Sequence, residues 1–123
     1  MINVCVNGYG TIGKRVADAI RKHEKLNLVG VAKYSPDQDA KLAKMQGINV
    51  YVPKESSANF ESKGIEIDGT VDEMLEQSST VVDASPDGVG TKNKQMYASK
   101  GRKAIFQGGE KEDTGFSFNA RSN

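Results

Sequence analysis

The hydrophobic positions of the chain change their period shortly after its beginning. Residues 2–6 (INVCV) form a short apolar run, which predicts a buried strand. From Ile12 onward the apolar residues recur at helical spacing with charged residues opposite them, which predicts an amphipathic helix that ends near residues 23–25. A second apolar run at residues 28–32 predicts the next strand. Strand, helix and strand in this order are typical of a βαβ unit.

The rest of the chain continues this alternation in shorter segments. Further strands are predicted at residues 49–52, 64–67, 80–84 and 103–106. Further helical segments are predicted at residues 39–45, within residues 54–63, and at residues 91–100. A capping-box pattern that begins at Thr70 predicts one more helix. Strands that alternate with helices imply a mainly parallel sheet with helices on both faces. The expected fold is therefore a Rossmann-like, doubly wound α/β domain over residues 1–123.

Three glycines stand between the first predicted strand and the first predicted helix, in the pattern G-x-G-x-x-G. Gly8 permits a tight turn, Gly10 lets the backbone approach a pyrophosphate, and Gly13 lets the helix pack closely on the strands. The amides of Thr11 and Ile12 then face the phosphates at the positive end of the helix dipole. The pattern predicts a dinucleotide site. The alternative is a turn in which the glycines serve backbone geometry alone.

The residue at the end of the second predicted strand indicates which dinucleotide is bound. NAD-binding units usually carry Asp or Glu about 20 residues after the glycines. Here that position is Lys33, a cation that suits a 2′-phosphate, so NADP is predicted in preference to NAD. Asp37 and Asp39 follow closely and leave the use of both cofactors open. The alternative for Lys33 is a solvated surface side chain.

Two further loops leave the same predicted edge of the sheet. The loop at residues 85–90 contains Ser85, Pro86 and Gly88, and Gly109 lies in the loop after residues 103–106. Ligands of parallel sheets lie over the carboxyl ends of the strands, so we expect both loops to border the cofactor. Ordinary turn chemistry is the alternative for each loop.

Composition and charge exclude several other classes of protein. Seventeen Lys and Arg residues balance 16 Asp and Glu residues, and this balance argues against a nucleic-acid partner. No apolar run approaches the ~20 residues that cross a bilayer. With one cysteine, Cys5, and one histidine, His23, neither a disulfide nor a metal site is expected. Cys5 is interpreted as a core residue, and Lys14 as part of a solvated helix face with a phosphate contact as the alternative.

Five segments of the chain, taken in order, resemble the archaeal-type glyceraldehyde-3-phosphate dehydrogenases. They are VNGYGTIGKRVADAI, VGVAK, INVYVP, VVDASPDGVG and AIFQGGEK. The resemblance implies the cofactor domain of a cytoplasmic, tetrameric, two-domain enzyme. That enzyme oxidises glyceraldehyde 3-phosphate with phosphate and NADP or NAD, and its product is 1,3-bisphosphoglycerate.

The resemblance also implies roles for individual residues. Thr11 and Ile12 correspond to positions whose amides meet the pyrophosphate, and Lys33 corresponds to the contact with the 2′-phosphate. The loop at residues 85–90 corresponds to one beside the cofactor, and Gly109 to a backbone contact near the nicotinamide.

The catalytic residues of that family have no counterpart in the 123 residues. Its nucleophilic cysteine lies in a Ser-Cys-Asn-Thr segment and its catalytic histidine in the second domain, and neither Cys5 nor His23 matches them. We therefore expect a cofactor domain cut before the catalytic domain, which binds cofactor weakly and has no dehydrogenase activity alone. The alternatives are the cofactor domain of a homoserine-type or semialdehyde-type dehydrogenase, and a stand-alone NADP-binding module.

Overall fold

The computed structural model describes residues 1–84, 93, 97–106 and 116–117. The strands are β1 (Ile2–Asn7), β2 (Leu26–Ala32), β3 (Val50–Val52), β4 (Gly69–Thr70), β5 (Thr80–Asp83), β6 (Lys103–Phe106) and β7 (Phe116–Ser117). The helices are α1 (Thr11–Lys22), α2 (Gln38–Met45), α3 (Ser57–Ser62) and α4 (Val71–Gln77), with a 3-10 turn at Lys54–Ser56. Residues 93 and 97–99 are also helical. Within these described ranges, no helix combines the length and the apolar character that a membrane span requires.

The described strands form one parallel sheet in the order β4-β3-β2-β1-β5-β6-β7. The strands β2, β3 and β4 follow one another on one side of β1, and β5 then pairs with the other side of β1. This reversal leaves a crevice at the carboxyl ends of β1 and β5, where ligands of such sheets bind. The predicted doubly wound α/β fold is confirmed. The strand β7, which pairs with β6, was not predicted from the sequence.

Hydrophobic side chains cover both faces of the sheet. Consecutive strand residues point to opposite faces, so Val6 packs with α1, α2 and α3 on one side. Its neighbour Cys5 packs with α4 and the helical residue Tyr97 on the other side. The α1 helix buries Val16 and Ile20, which lie one turn apart on its inner face. The apolar spacing of the sequence therefore orients α1 toward the sheet.

The capping box at the start of α4 is present as predicted. The Thr70 hydroxyl accepts from the Glu73 N–H at 3.3 Å, and the Glu73 carboxylate accepts from the Thr70 N–H at 2.8 Å. These two contacts satisfy amides that have no partner inside the helix. Residues three places apart in sequence therefore fix where α4 begins.

The prediction of a strand at residues 64–67 is wrong. Pairing with β3 begins at Gly69, and the N–H of Asp68 donates to the Val50 carbonyl at 2.8 Å just before it. The Ile65 side chain is buried in the core, and its N–H donates to the Phe60 carbonyl at 3.0 Å. The apolar residues of this segment are explained by core packing after α3, which produces the same alternation as a strand.

Cys5 is a core residue, as predicted, and its burial has a chemical consequence. Burial raises the pKa of the Cys5 thiol from 9.0 to about 11. Because alkylating agents attack the thiolate, we expect iodoacetamide at about pH 8 to modify Cys5 only in denaturant, as measured by intact-protein mass spectrometry. The folded state retains the proton, so this stabilising contribution is complete below pH 9 and is lost as the pH rises toward 11. Equal labelling rates with and without denaturant would contradict the burial of this thiol.

Candidate functional site

Gly8 and Gly13 shape the turn between β1 and α1. Gly8 has a φ of 110°, which favours glycine, and its N–H donates to the Ala32 carbonyl at 3.3 Å. A Cβ atom at Gly13 would lie 2.1 Å from the carbonyl oxygen of Gly8. The start of α1 can therefore approach the turn only because residue 13 lacks a side chain. The tight turn and the close helix packing expected of these glycines are both present.

Gly10, Thr11 and Ile12 form the exposed rim of this turn. Gly10 is the N-cap of α1, and a Cβ atom there would meet no atom of the described residues within 4 Å. The helical hydrogen bonds begin with the Lys14 N–H, which donates to the Gly10 carbonyl at 2.9 Å. The amides of Thr11 and Ile12 come before this bond and have no carbonyl partner inside the helix. The first turn of α1 contains no carboxylate, so its positive end is open to an anion.

Lys33 directly follows β2 and is almost fully buried. Its side chain is 10% exposed, and its ammonium nitrogen lies 3.0 Å from Oδ2 of Asp37. Its backbone N–H donates to the Tyr51 carbonyl at 2.9 Å. The interpretation of Lys33 as a solvated surface lysine is therefore wrong. A buried ammonium requires a charged or hydrogen-bonding partner, and Asp37 supplies it.

Asp37 is the N-cap residue of α2 and is more accessible than Lys33. One carboxylate oxygen accepts from the Ala40 N–H at 3.1 Å and the other from the Lys33 ammonium at 3.0 Å. Partial burial raises the pKa of Asp37, but the hydrogen bonds from Lys33 and Ala40 and the charge of Lys33 outweigh it and lower that pKa overall. The carboxylate is therefore ionised at neutral pH. Its side chain remains 47% exposed.

A second ion pair joins α1 to α2. The Lys14 ammonium lies 2.5 Å from Oδ1 of Asp39, and this hydrogen bond raises the pKa of Lys14. Lys14 thus keeps a 36% exposed side chain on the solvated face of α1, and this pair holds it against the neighbouring helix. Lys14 and Lys33 are each paired with a carboxylate from the start of α2.

A buried polar network connects the carboxyl ends of β1 and β5. Asn7 donates through its side-chain amide to the Tyr97 hydroxyl at 2.7 Å, and Tyr97 donates to Oδ2 of Asp83. The same oxygen accepts from the Asn93 amide at 3.0 Å. The Tyr34 hydroxyl donates to Oδ1 of Asn7 at 2.6 Å. This network ties the residue after Lys33 to the switch point of the sheet.

Burial keeps the phenols of this network protonated. It raises the pKa of Tyr34 to about 12, and it raises the pKa of Tyr97 further, with the charge of Asp83 adding to the effect. Tyr97 lies in the core, and the network that it forms was not predicted from the sequence. Asn7 and Asp83 each stand at the end of an apolar run, and the sheet places these two ends side by side. This pattern of polar residues was the sequence signal that could have indicated the network.

Four of the predicted site residues, Ser85, Pro86, Gly88 and Gly109, lie outside the described residues. Their position beside a cofactor stays a prediction. The strands that precede these loops are described, and Asp83 pairs in parallel register with Phe106. The carboxyl ends of β5 and β6 therefore lie at the edge of the sheet that carries the glycine turn.

A doubly wound parallel sheet with this glycine turn at its switch point defines the chain as a Rossmann-type NAD(P)-binding domain. Its more particular family follows from comparison with known proteins. Residues 2–117 match the family described as dihydrodipicolinate reductase, N-terminus, and the chain belongs to this family.

The chain is also similar to curated dehydrogenases. It is 52% identical over 122 residues to the glyceraldehyde-3-phosphate dehydrogenase of Methanothermus fervidus, and 53% identical over 124 residues to that of Saccharolobus solfataricus. These alignments cover 98% and 100% of this chain but 36% of each relative, so the chain spans about a third of their length. The resemblance to the archaeal enzymes that the sequence segments indicated is confirmed.

Solved structures of lower identity share the fold. The UDP-N-acetylglucosamine 3-dehydrogenase of Acidithiobacillus ferrooxidans matches with a TM-score of 0.64 at 16% identity, over 85% of this chain and 28% of that protein. GenD2 of gentamicin A biosynthesis, solved in complex with NAD, matches with a TM-score of 0.63 at 20% identity, over 85% of this chain and 26% of that protein. These likenesses support the Rossmann-type architecture alone.

Proposed function

We propose that this chain is the cofactor-binding part of a phosphorylating glyceraldehyde-3-phosphate dehydrogenase and that it binds NADP in preference to NAD. The carrying observation is that the open amino end of α1 and the cation Lys33 lie at one edge of the sheet. Identity of 52% and 53% to two archaeal enzymes of that name supports the reaction. The intact enzyme would be a cytoplasmic tetramer.

The glycine turn fits the pyrophosphate of a dinucleotide. Among the described residues, nothing lies within 4 Å of a Cβ atom built at Gly10, so a ligand can approach the backbone where this side chain is missing. The amides of Thr11 and Ile12 would donate to the pyrophosphate oxygens, helped by the dipole of the 12-residue helix α1. Gly8 and Gly13 hold the turn in the shape that aims these amides.

The adenosine half of the cofactor would lie over β2 and β3. A 2′-phosphate beside Lys33 would meet an ammonium that is already oriented by its contact with Asp37. A cleft of about 270 Å³ adjoins this position and is lined by Tyr34, Pro53 and Thr70 among other residues. Its volume is near the lower end of the cavities that hold small ligands, roughly 300 Å³. We infer that this cleft takes the adenine ring.

The chain's own residues would bind and orient the cofactor, which supplies the hydride-accepting nicotinamide. The loops that contain Ser85, Pro86, Gly88 and Gly109 would border it on the β5 and β6 side. A thiolate nucleophile and a histidine from a second domain, as in the resembled family, would act on the aldehyde.

The cofactor preference is tested by replacing Lys33 with methionine, which removes the charge and keeps an unbranched side chain. A charge-assisted contact contributes about 1.5–3 kcal/mol, so the affinity for NADPH should fall by about 10- to 150-fold while the affinity for NADH changes little. Calorimetric titration of the 123-residue chain with each dinucleotide measures both values. The matched control is Lys22→Met at the exposed far end of α1, which should leave both affinities unchanged. An unaltered ratio of the two affinities in Lys33→Met would reject Lys33 as the 2′-phosphate contact.

A further inference from the structure

The geometry points to Asp37 as a residue that sets cofactor specificity: we propose that its carboxylate accepts a hydrogen bond from the adenosine ribose of NAD and thereby lets the domain use both dinucleotides. The proposal rests on the proposed function, because it concerns the same site. It goes beyond the preference assigned to Lys33 by naming the group that opposes it.

The Asp37 carboxylate lies close to the end of β2, beside Lys33. Sheets that bind NAD usually place an acidic residue at the end of the second strand, where this chain has Lys33. The turn after Lys33 brings Asp37 back to that point, because the Asp37 N–H donates to the Ser35 carbonyl at 2.9 Å. The Asp37 carboxylate then lies 3.0 Å from the Lys33 ammonium. Asp37 therefore places a carboxylate beside position 33, where the sequence itself has no acidic residue.

The Asp37 side chain is more accessible to a ligand than the Lys33 side chain. The side chain of Asp37 is 47% exposed and that of Lys33 is 10% exposed, so a ligand that reaches this corner meets the carboxylate more openly than the ammonium. A carboxylate offers about four acceptor sites, and the contacts with Lys33 and with the Ala40 and Asp39 amides use three of them. A ribose hydroxyl can therefore donate to Asp37 without displacing any of these partners.

The charges of Lys33 and Asp37 have opposite effects on a 2′-phosphate. The Lys33 ammonium has three donors and gives one to Asp37, so it can also bind a 2′-phosphate. That phosphate would then stand beside an ionised carboxylate, whose pKa is lowered in the folded chain. The like charges repel, which weakens NADP binding relative to a site that carries Lys33 alone. Asp37 thus favours the hydroxyl of NAD and opposes the phosphate of NADP.

The structure separates Asp37 from Asp39, the other acidic residue of this segment. Asp39 pairs with Lys14 on α1, beside the turn that would hold the pyrophosphate. The pyrophosphate is common to both dinucleotides. A change at Asp39 should therefore affect NADPH and NADH by the same factor.

The test is Asp37→Asn in the 123-residue chain, titrated calorimetrically with NADPH and with NADH. Asparagine caps a helix as well as aspartate does, so α2 should be retained. From the size of single exposed charge contacts, we expect NADPH to bind roughly fivefold more tightly and NADH roughly fivefold more weakly. Asp37→Ser, which also caps helices without charge, should reproduce the gain for NADPH. Thermal unfolding of each variant checks that the fold is intact.

Two control variants show whether an effect on affinity is specific to Asp37. Asp39→Asn should change both affinities equally, and Asp18→Asn, which removes a charge from an exposed pair with Lys22, should change neither. Unchanged affinities in Asp37→Asn, or a shift of both dinucleotides in the same direction, would overturn the role of Asp37 while the proposed function stands. A wild-type chain that binds neither dinucleotide would overturn the proposed function itself, and the role of Asp37 with it.

Discussion

Replacing Gly13 with alanine is expected to destabilise the domain by about 3 kcal/mol and to abolish dinucleotide binding. The added Cβ atom would lie 2.1 Å from the carbonyl oxygen of Gly8, which is a backbone atom that no side-chain rotation can move. The start of α1 must then shift away from the turn, and its amides lose their common direction. Urea denaturation measures the loss of stability, and calorimetric titration with NADPH measures the loss of binding.

The matched control is Gly10→Ala in the same turn. Its Cβ atom would meet nothing within 4 Å in the described part of the chain, and its φ of −96° suits any residue. We therefore expect a loss below about 1 kcal/mol, from the weaker N-cap. NADPH should nevertheless bind at least about tenfold more weakly, because the methyl group occupies the space through which the backbone meets the pyrophosphate. Wild-type stability in Gly13→Ala would contradict the close packing. Wild-type affinity in Gly10→Ala would contradict the placement of the pyrophosphate.

Tyr97→Phe is expected to destabilise the domain by about 2 kcal/mol through the buried polar network. The Tyr97 hydroxyl donates to Asp83 and accepts from Asn7, and both of these side chains are fully buried. Removing the hydroxyl takes one partner from each of them inside the protein, where water cannot easily replace it. The free energy of unfolding in urea, compared with that of the wild-type chain, gives the cost.

Tyr9→Phe is the control for losing a tyrosine hydroxyl at a buried ring. Tyr9 is 3% exposed, but its hydroxyl lies 3.4 Å from Oε1 of Gln46, a long contact, so the loss should stay below about 0.5 kcal/mol. A Tyr97→Phe variant that loses no more than Tyr9→Phe would show that the network does not stabilise the fold.

Elements whose signals lie close together in the chain could be predicted. The alternation of apolar runs with an amphipathic helix predicted β1, α1 and β2, and the capping box of Thr70 and Glu73 predicted the start of α4. In each case residues a few positions apart determine the outcome through backbone geometry. Residues 64–67 show the limit of this approach. Their apolar alternation suits both a strand and a segment packed into the core, and the neighbouring elements decide between the two.

The residue pattern alone established the order β1, α1, β2, the positions of the glycines in the turn, and the cation that follows β2. The completed fold was needed to show that Lys33 is buried and paired with Asp37, and that Asn7 meets Tyr97, 90 residues away in the chain. The physical reason is the range of the interactions. A turn or a helix cap depends on adjacent residues, whereas the partner of a buried polar group depends on which strand ends the completed sheet brings together.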